Sequence, residues 1–176
     1  MITITPLSDN LKALKSARRL ATVAVDDADK RKLGLSTVVV QTQALAVIDQ
    51  VLDFLKISKS LDSSTDPVLS IHSRIIKLAG AVITSGQRSV NSVESYFIGT
   101  SLVVRESVLL PRTFAWPVAG LLLPTTNASA VIWSTSETAR AVTLTSTGQT
   151  DVSGQLLADV GRLLDSFAAE WQSANK

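Results

Sequence analysis

Asp66-Pro67-Val68-Leu69-Ser70-Ile71-His72-Ser73-Arg74-Ile75-Ile76-Lys77-Leu78 is the stretch on which the fold turns. Its first two residues combine a helix N-cap with a first-turn proline. Ile71, Ile75, Leu78 and Val82 then recur at three-, four- and seven-residue spacing, the signature of one buried helical stripe, and Ser85-Gly86 supplies a stop. The spacing predicts a helix that begins at Pro67 and ends near Ser85.

Toward the N-terminus, residues 58–66 are rich in Ser and Asp and read as a loop. Residues 35–57 form a second helix, with Val38, Leu45, Ile48, Leu52 and Leu55 in helical register and Ala44, Val47 and Val51 widening the apolar face. Leu11, Leu14, Ala17 and Ala21 mark a third, opened by Ser8 or Asp9 and carrying Lys12, Lys15 and Arg19 on another face. Asp26, Asp27 and Asp29 place negative charge where a helix begins, followed by Lys30, Arg31 and Lys32. Residues 1–7 alternate apolar and hydroxylated side chains as a short strand or an arm.

Toward the C-terminus, Asn91 followed by Glu94 resembles a capping box, with Val93, Phe97, Val104 and Val108 as a helical face ending before Pro111, while Gly99 and the β-branched run leave residues 91–110 open between helix and strand. Between residues 113 and 150 the only charges are Glu137 and Arg140, and the prolines with Ser and Thr favour short antiparallel strands at 130–134 and 141–145. Val152, Leu156, Leu157, Val160, Leu163, Leu164, Phe167 and Trp171 predict a closing amphipathic helix over 151–174, opened by Asp151 or Ser153. The expected fold is a single α+β domain over 1–176, mainly helical. It has a three- or four-helix bundle within 8–110, a strand-rich segment at 113–150 and the C-terminal amphipathic helix.

A chain of 176 residues can bury one core without disulfides. At 45% hydrophobic and 18% charged, with a mean hydropathy of +0.28, it is greasier than an ordinary monomer, so self-association is expected. The absence of cysteine excludes thiolate chemistry and disulfide frameworks. The N-terminus lacks a basic segment followed by an apolar run, so no secretory signal is expected and a virion or cytoplasmic location is. Asn127-Ala128-Ser129 is then a chance match to a glycosylation acceptor.

Catalytic equipment is sparse. The one histidine, His72, falls within the expected helix, no Gly-x-Ser-x-Gly elbow presents a serine, and an ordinary hydrogen bond accounts for it. Asp49 and Asp53 share a helix face at i and i+4, where most such pairs face solvent. One His and no Cys leave a transition metal short of ligands, and the glycines form neither a P-loop nor a dinucleotide fingerprint. The expectation is a chain that is not an enzyme and has no cofactor, metal or small-molecule substrate.

Charge is unevenly spread. Lys12, Lys15, Arg18, Arg19, Lys30, Arg31 and Lys32 face only Asp9, Asp26, Asp27 and Asp29, while the last helix is acidic. Such a basic stripe suits RNA or DNA phosphates. Phe114, Trp116, Leu121, Leu122, Leu123 and Trp133 are the expected self-association surface, because prolines keep that apolar run from joining a central sheet. Together these features point to a self-assembling structural subunit, a viral coat, shell or other virion-type protein associated with nucleic acid. The alternative is a small non-catalytic nucleic-acid-binding assembly or accessory factor.

Overall fold

The computed structural model describes residues 11–12, 14–58, 66–78, 81–85, 88–111, 125–135, 138–144 and 151–176. In chain order the elements are β1 (Ser16–Ala24), α1 (Asp27–Lys32), α2 (Thr37–Val51), β2 (Lys56–Ser58), β3 (Val68–Lys77), β4 (Ala81–Ser85), β5 (Arg88–Pro111), β6 (Thr125–Ser134), β7 (Thr138–Leu144) and α3 (Val152–Ala174). The expected helix bundle is absent. Among the described residues the chain forms three helices and a seven-stranded mixed sheet.

Strand β5 is the spine of that sheet. Tyr96 pairs with Lys77 of β3 on one edge and with Val142 of β7 on the other, and Val104 likewise joins Leu69 of β3 to Trp133 of β6. These pairings are antiparallel, as is that of β4 with the start of β5. Outside β3 lies β1, parallel to it, and β2 is parallel to β1 at the edge. The parallel pairs require a crossover, and α1 and α2 fill it.

Two segments expected to be helical, and residues 91–110, left open between helix and strand, are therefore strands, each for a physical reason. In β3 the residues Ile71 and Ile75 satisfy a four-residue spacing and a two-residue one equally. The buried set Leu69, Ile71, Ser73 and Ile75 follows the second. In β5 the alternation Tyr96, Ile98, Thr100, Leu102, Val104 supplies five buried side chains in succession, and its β-branched content fits a pleated surface. In β1 the buried Ala17 and the ion-paired Arg19 share one face while Arg18 and Leu20 share the other. Pro67 does not open a helix; its carbonyl accepts the Arg18 N–H at 2.7 Å and so starts the β1–β3 pairing.

Both longer helices cover one face of the sheet. Val40, Ala44 and Ile48 of α2, and Val152, Leu156, Val160, Leu163, Leu164 and Phe167 of α3, pack on Leu69, Ile71, Ile75, Tyr96, Ile98, Leu102 and Val104. Each such Leu, Ile or Phe contributes about 1.5–3 kcal/mol by leaving water. Trp133 meets Phe167 edge to face at 4.9 Å between centroids, and Trp171 lies 4.5 Å from Phe54. The Trp171 indole N–H also donates to the Leu14 carbonyl at 2.9 Å, tying the end of α3 to the start of β1.

Helix ends follow their local chemistry. Ser36 caps α2, and Asp151 caps α3 by accepting the Gly154 N–H at 2.8 Å. A Cβ on Gly154 would crowd Oδ2 of Asp151, so a larger residue there makes the capping carboxylate shift. Gly34, which follows α1, has φ +60°, the left-handed conformation that glycine adopts without penalty.

Candidate ligand site on the open face of the sheet

Strand alternation sends every second residue to the face opposite the helices, and the register decides which of them meet. From β1 come Arg18, Leu20, Thr22 and Ala24, and from β3 Val68, Ser70, His72, Arg74 and Ile76. Phe97, Gly99, Ser101, Val103 and Arg105 come from β5. Thr22 stands opposite His72, and His72 opposite Ser101; Ala24 stands opposite Arg74, and Arg74 opposite Gly99. Small side chains at Ala24, Gly99 and Ser101 flank two large ones and leave a hollow. It is a pocket of about 360 Å³ lined by Thr22, Ala24, His72, Ser73, Arg74 and Ser101.

Inside it, Nδ1 of His72 lies 2.9 Å from Oγ1 of Thr22, whose hydroxyl reaches the Ile71 carbonyl at 3.4 Å. The other ring nitrogen, Nε2, is buried and has no hydrogen-bond partner among the described residues. Burial, and secondly the charge of Arg105, hold the imidazole below its ordinary value of 6.5, so the neutral ring is favoured. The Arg74 guanidinium lies 5.8 Å from the centroid of Phe97. No Asp or Glu occupies this face among the described strand positions.

Three charged clusters lie elsewhere, each with its own partners. Glu94 accepts from Lys32 and Lys77 at 2.7 Å each and from the Tyr96 hydroxyl at 3.1 Å. Tyr96 also reaches the buried Asp29 at 3.1 Å. The lysines hold Glu94 down to about 2, while burial and the two carboxylates push Tyr96 far above the usual phenol range. Asp159, 1% exposed, accepts from Arg140 at 2.9 Å and from Arg162. Arg19 pairs with Asp49 at 3.0 Å and donates to the Leu45 carbonyl at 2.7 Å. Among the described residues, no group of three or more His, Asp or Glu could hold a metal ion.

The seven cations expected to form a basic helical stripe are not brought together. Lys12 and Lys15 precede β1, Arg18 and Arg19 point to opposite faces of the sheet, and Arg31 is exposed on α1. Lys30 pairs with Asp27 at 2.6 Å and Lys32 with Glu94. Of the expected acids, Asp26 caps α1, Asp49 is paired and Asp53 is exposed, so Asp49 and Asp53 form no joint site. Trp133 is 2% exposed and donates to Glu170 at 2.8 Å within the core. Phe114, Trp116, Leu121, Leu122 and Leu123 lie outside the described residues. Reading the sequence missed Thr22, Ala24, Arg74 and Ser101, because only the pairing of three strands makes them neighbours.

No known protein family and no curated protein matches the sequence. Among solved structures, the crystal structure of the rare lipoprotein B from Shewanella oneidensis aligns at a TM-score of 0.38 and 10% identity, over 90% of this chain and 99% of that one. A likeness of that strength lends this chain neither fold nor function. The virion, capsid and RNA-binding reading, with its accessory-factor alternative, is corrected: Arg18 and Arg19 lie on a strand and Lys30, Arg31 and Lys32 on the short helix α1, so the described residues form no single basic helix and their charges are dispersed and largely paired. Among the described residues no helix is long and apolar enough to cross a membrane.

Proposed function

We propose that the protein is a non-catalytic binding module that seats a small ligand in the pocket around His72. The observation that carries this reading is that His72 lines the pocket and its buried Nε2 has no partner among the described residues. An unsatisfied buried polar atom costs about 1–3 kcal/mol, and a ligand atom that bonds to it recovers that cost on binding. At about 360 Å³ the pocket suits a small molecule, near the lower end of the roughly 300–1,000 Å³ range of ligand sites. The non-catalytic part rests on how the histidine is held. Its Nδ1 partner is a threonine hydroxyl, and no carboxylate among the described residues orients it as a base.

Ala24 is exposed at the pocket and can be enlarged without disturbing the core. In an NMR screen of small fragments, binders are expected to shift the amides of Thr22, His72, Arg74 and Ser101 in the native protein. They should leave the Ala24→Trp variant unshifted while its fold persists. Fragments that bind only elsewhere, or a bound compound that is chemically converted, overturn the proposal.

A second reading, self-association, is favoured by Val38 and Val39 on α2, 69% and 51% exposed. Light scattering at high micromolar concentration tests it: a second copy in contact through α2 should dissociate on Val38→Lys, and a monomeric native protein refutes it.

A further inference from the structure

We propose that the pocket takes a small oxyanion, a carboxylate or a phosphate headgroup, which accepts a hydrogen bond from Nε2 of His72 as the ring gains a proton from solvent. This rests on the reading of the pocket as a ligand seat and adds the chemistry of the ligand.

The argument begins with the proton count. The Thr22 hydroxyl has one hydrogen, and its oxygen stands near both His72 Nδ1 and the Ile71 carbonyl. When that hydrogen points at the carbonyl, Nδ1–H donates to Thr22 and Nε2 keeps a bare lone pair. Adding a proton then creates an Nε2–H in a buried position with nothing to receive it. An imidazolium there is unfavourable, which agrees with the depressed affinity of the ring for protons. An anionic oxygen in the pocket removes that obstacle, because it supplies both the acceptor and the opposite charge.

The surroundings select the sign. Among the described strand positions, the charged groups on the same sheet face as His72 are Arg18 on β1, Arg74 on its own strand and Arg105 on β5. Of these, Arg105 disfavours the protonated ring through its own positive charge, second to burial. The Thr22 and Ser101 hydroxyls add donors or acceptors at the wall. A cationic ligand would meet arginines and a neutral one would leave the imidazolium unformed. An anion gains from both.

His72 is the sole histidine, so its ring protons give one unambiguous NMR signal. The full chain is titrated with pH in sodium chloride, in acetate and in inorganic phosphate at equal ionic strength. The apparent pKa of His72 should rise in acetate or phosphate relative to chloride, and whichever moves it more identifies the headgroup class. Between the pKa in chloride and the raised value with anion bound, the affinity should tighten by nearly tenfold per unit fall in pH, with proton uptake seen by calorimetry in two buffers of different ionisation heat. Ala24→Trp should abolish the shift, and His72→Gln, which keeps a side-chain donor, should bind with no pH dependence. An unchanged His72 pKa in both anions overturns the inference. If neutral fragments still perturb Thr22 and Ser101 in that case, the seat stands and only its ligand class is refuted. If nothing binds there, the seat falls as well.

Discussion

Two side chains with displaced proton affinities give the molecule a pH profile that can be read in separate windows. Glu94 is held at about 2 by Lys32 and Lys77, against an ordinary value of 4.5. Its ion pairs are fully formed above 4.5 and are lost as pH falls from there toward 2, so stability should decline across that window. Glu94→Gln should flatten the acid limb of a pH-dependent denaturation series and leave stability near neutrality little changed, because the pairs are partly solvated. His72 works in a higher window with the same sign. Its folded value lies below 6.5, the unfolded chain binds the proton more readily, and stability is lost as pH drops below 6.5. His72→Gln should remove that decline in the same series. Tyr96 matters in another way, since its fully buried hydroxyl bridges Asp29 and Glu94. Tyr96→Phe should cost about 1.5–3 kcal/mol in chemical denaturation, the range for hydrogen bonds to charged groups. Asp29 was legible in the sequence as an acid in the first turn of a helix. Its partner 67 residues away was not, because nothing local marks it.

At the scale of elements, α3 was the most legible part of the chain and β3 the least. Every residue buried along α3 except Asp159 belongs to the apolar set that the 3.6-residue period picks out. Helix α2 was legible as a helix but not in orientation. Val38 was expected on its buried stripe and is 69% exposed, whereas Val40, Ala44 and Ile48 face the sheet. Three consecutive valines make that helix apolar all round at its start, so periodicity cannot choose a face. In β3 and β5 a two-residue alternation coexists with fortuitous four-residue spacings, and tertiary pairing decided between them. These placements give opposite expectations for two conservative changes. Phe167→Ala should destabilise by about 3–5 kcal/mol, as a large core truncation does. Val38→Thr should stay within about 0.5 kcal/mol, as an exposed substitution does. Thermal or urea unfolding of both variants checks the assignment of faces, and a costly Val38→Thr would mean that α2 is covered in solution.

The whole molecule is organised by distant contacts, which explains why its site could not be assembled from sequence alone. His72 was noted, but Thr22 lies 50 residues before it and Ser101 meets it only through the β3–β5 register. The doubly paired stretch of β5 should be the last part to open. Amides of Ile98, Thr100 and Val104 are expected to exchange with deuterium near the rate set by global unfolding, and those of β2 much faster. Comparable rates in β2 and β5 would contradict the strand order. The bond from Trp171 to Leu14 carries a further consequence, for a chain emerging from a ribosome. Its partners are 157 residues apart, and α3 is translated after every strand. At roughly 5–20 residues per second, the apolar inner side of β5 waits on the order of 3–13 s for its cover. During nascent-chain growth that bare surface is what a trigger-type holdase would grip, and its release would be timed by the arrival of the last helix.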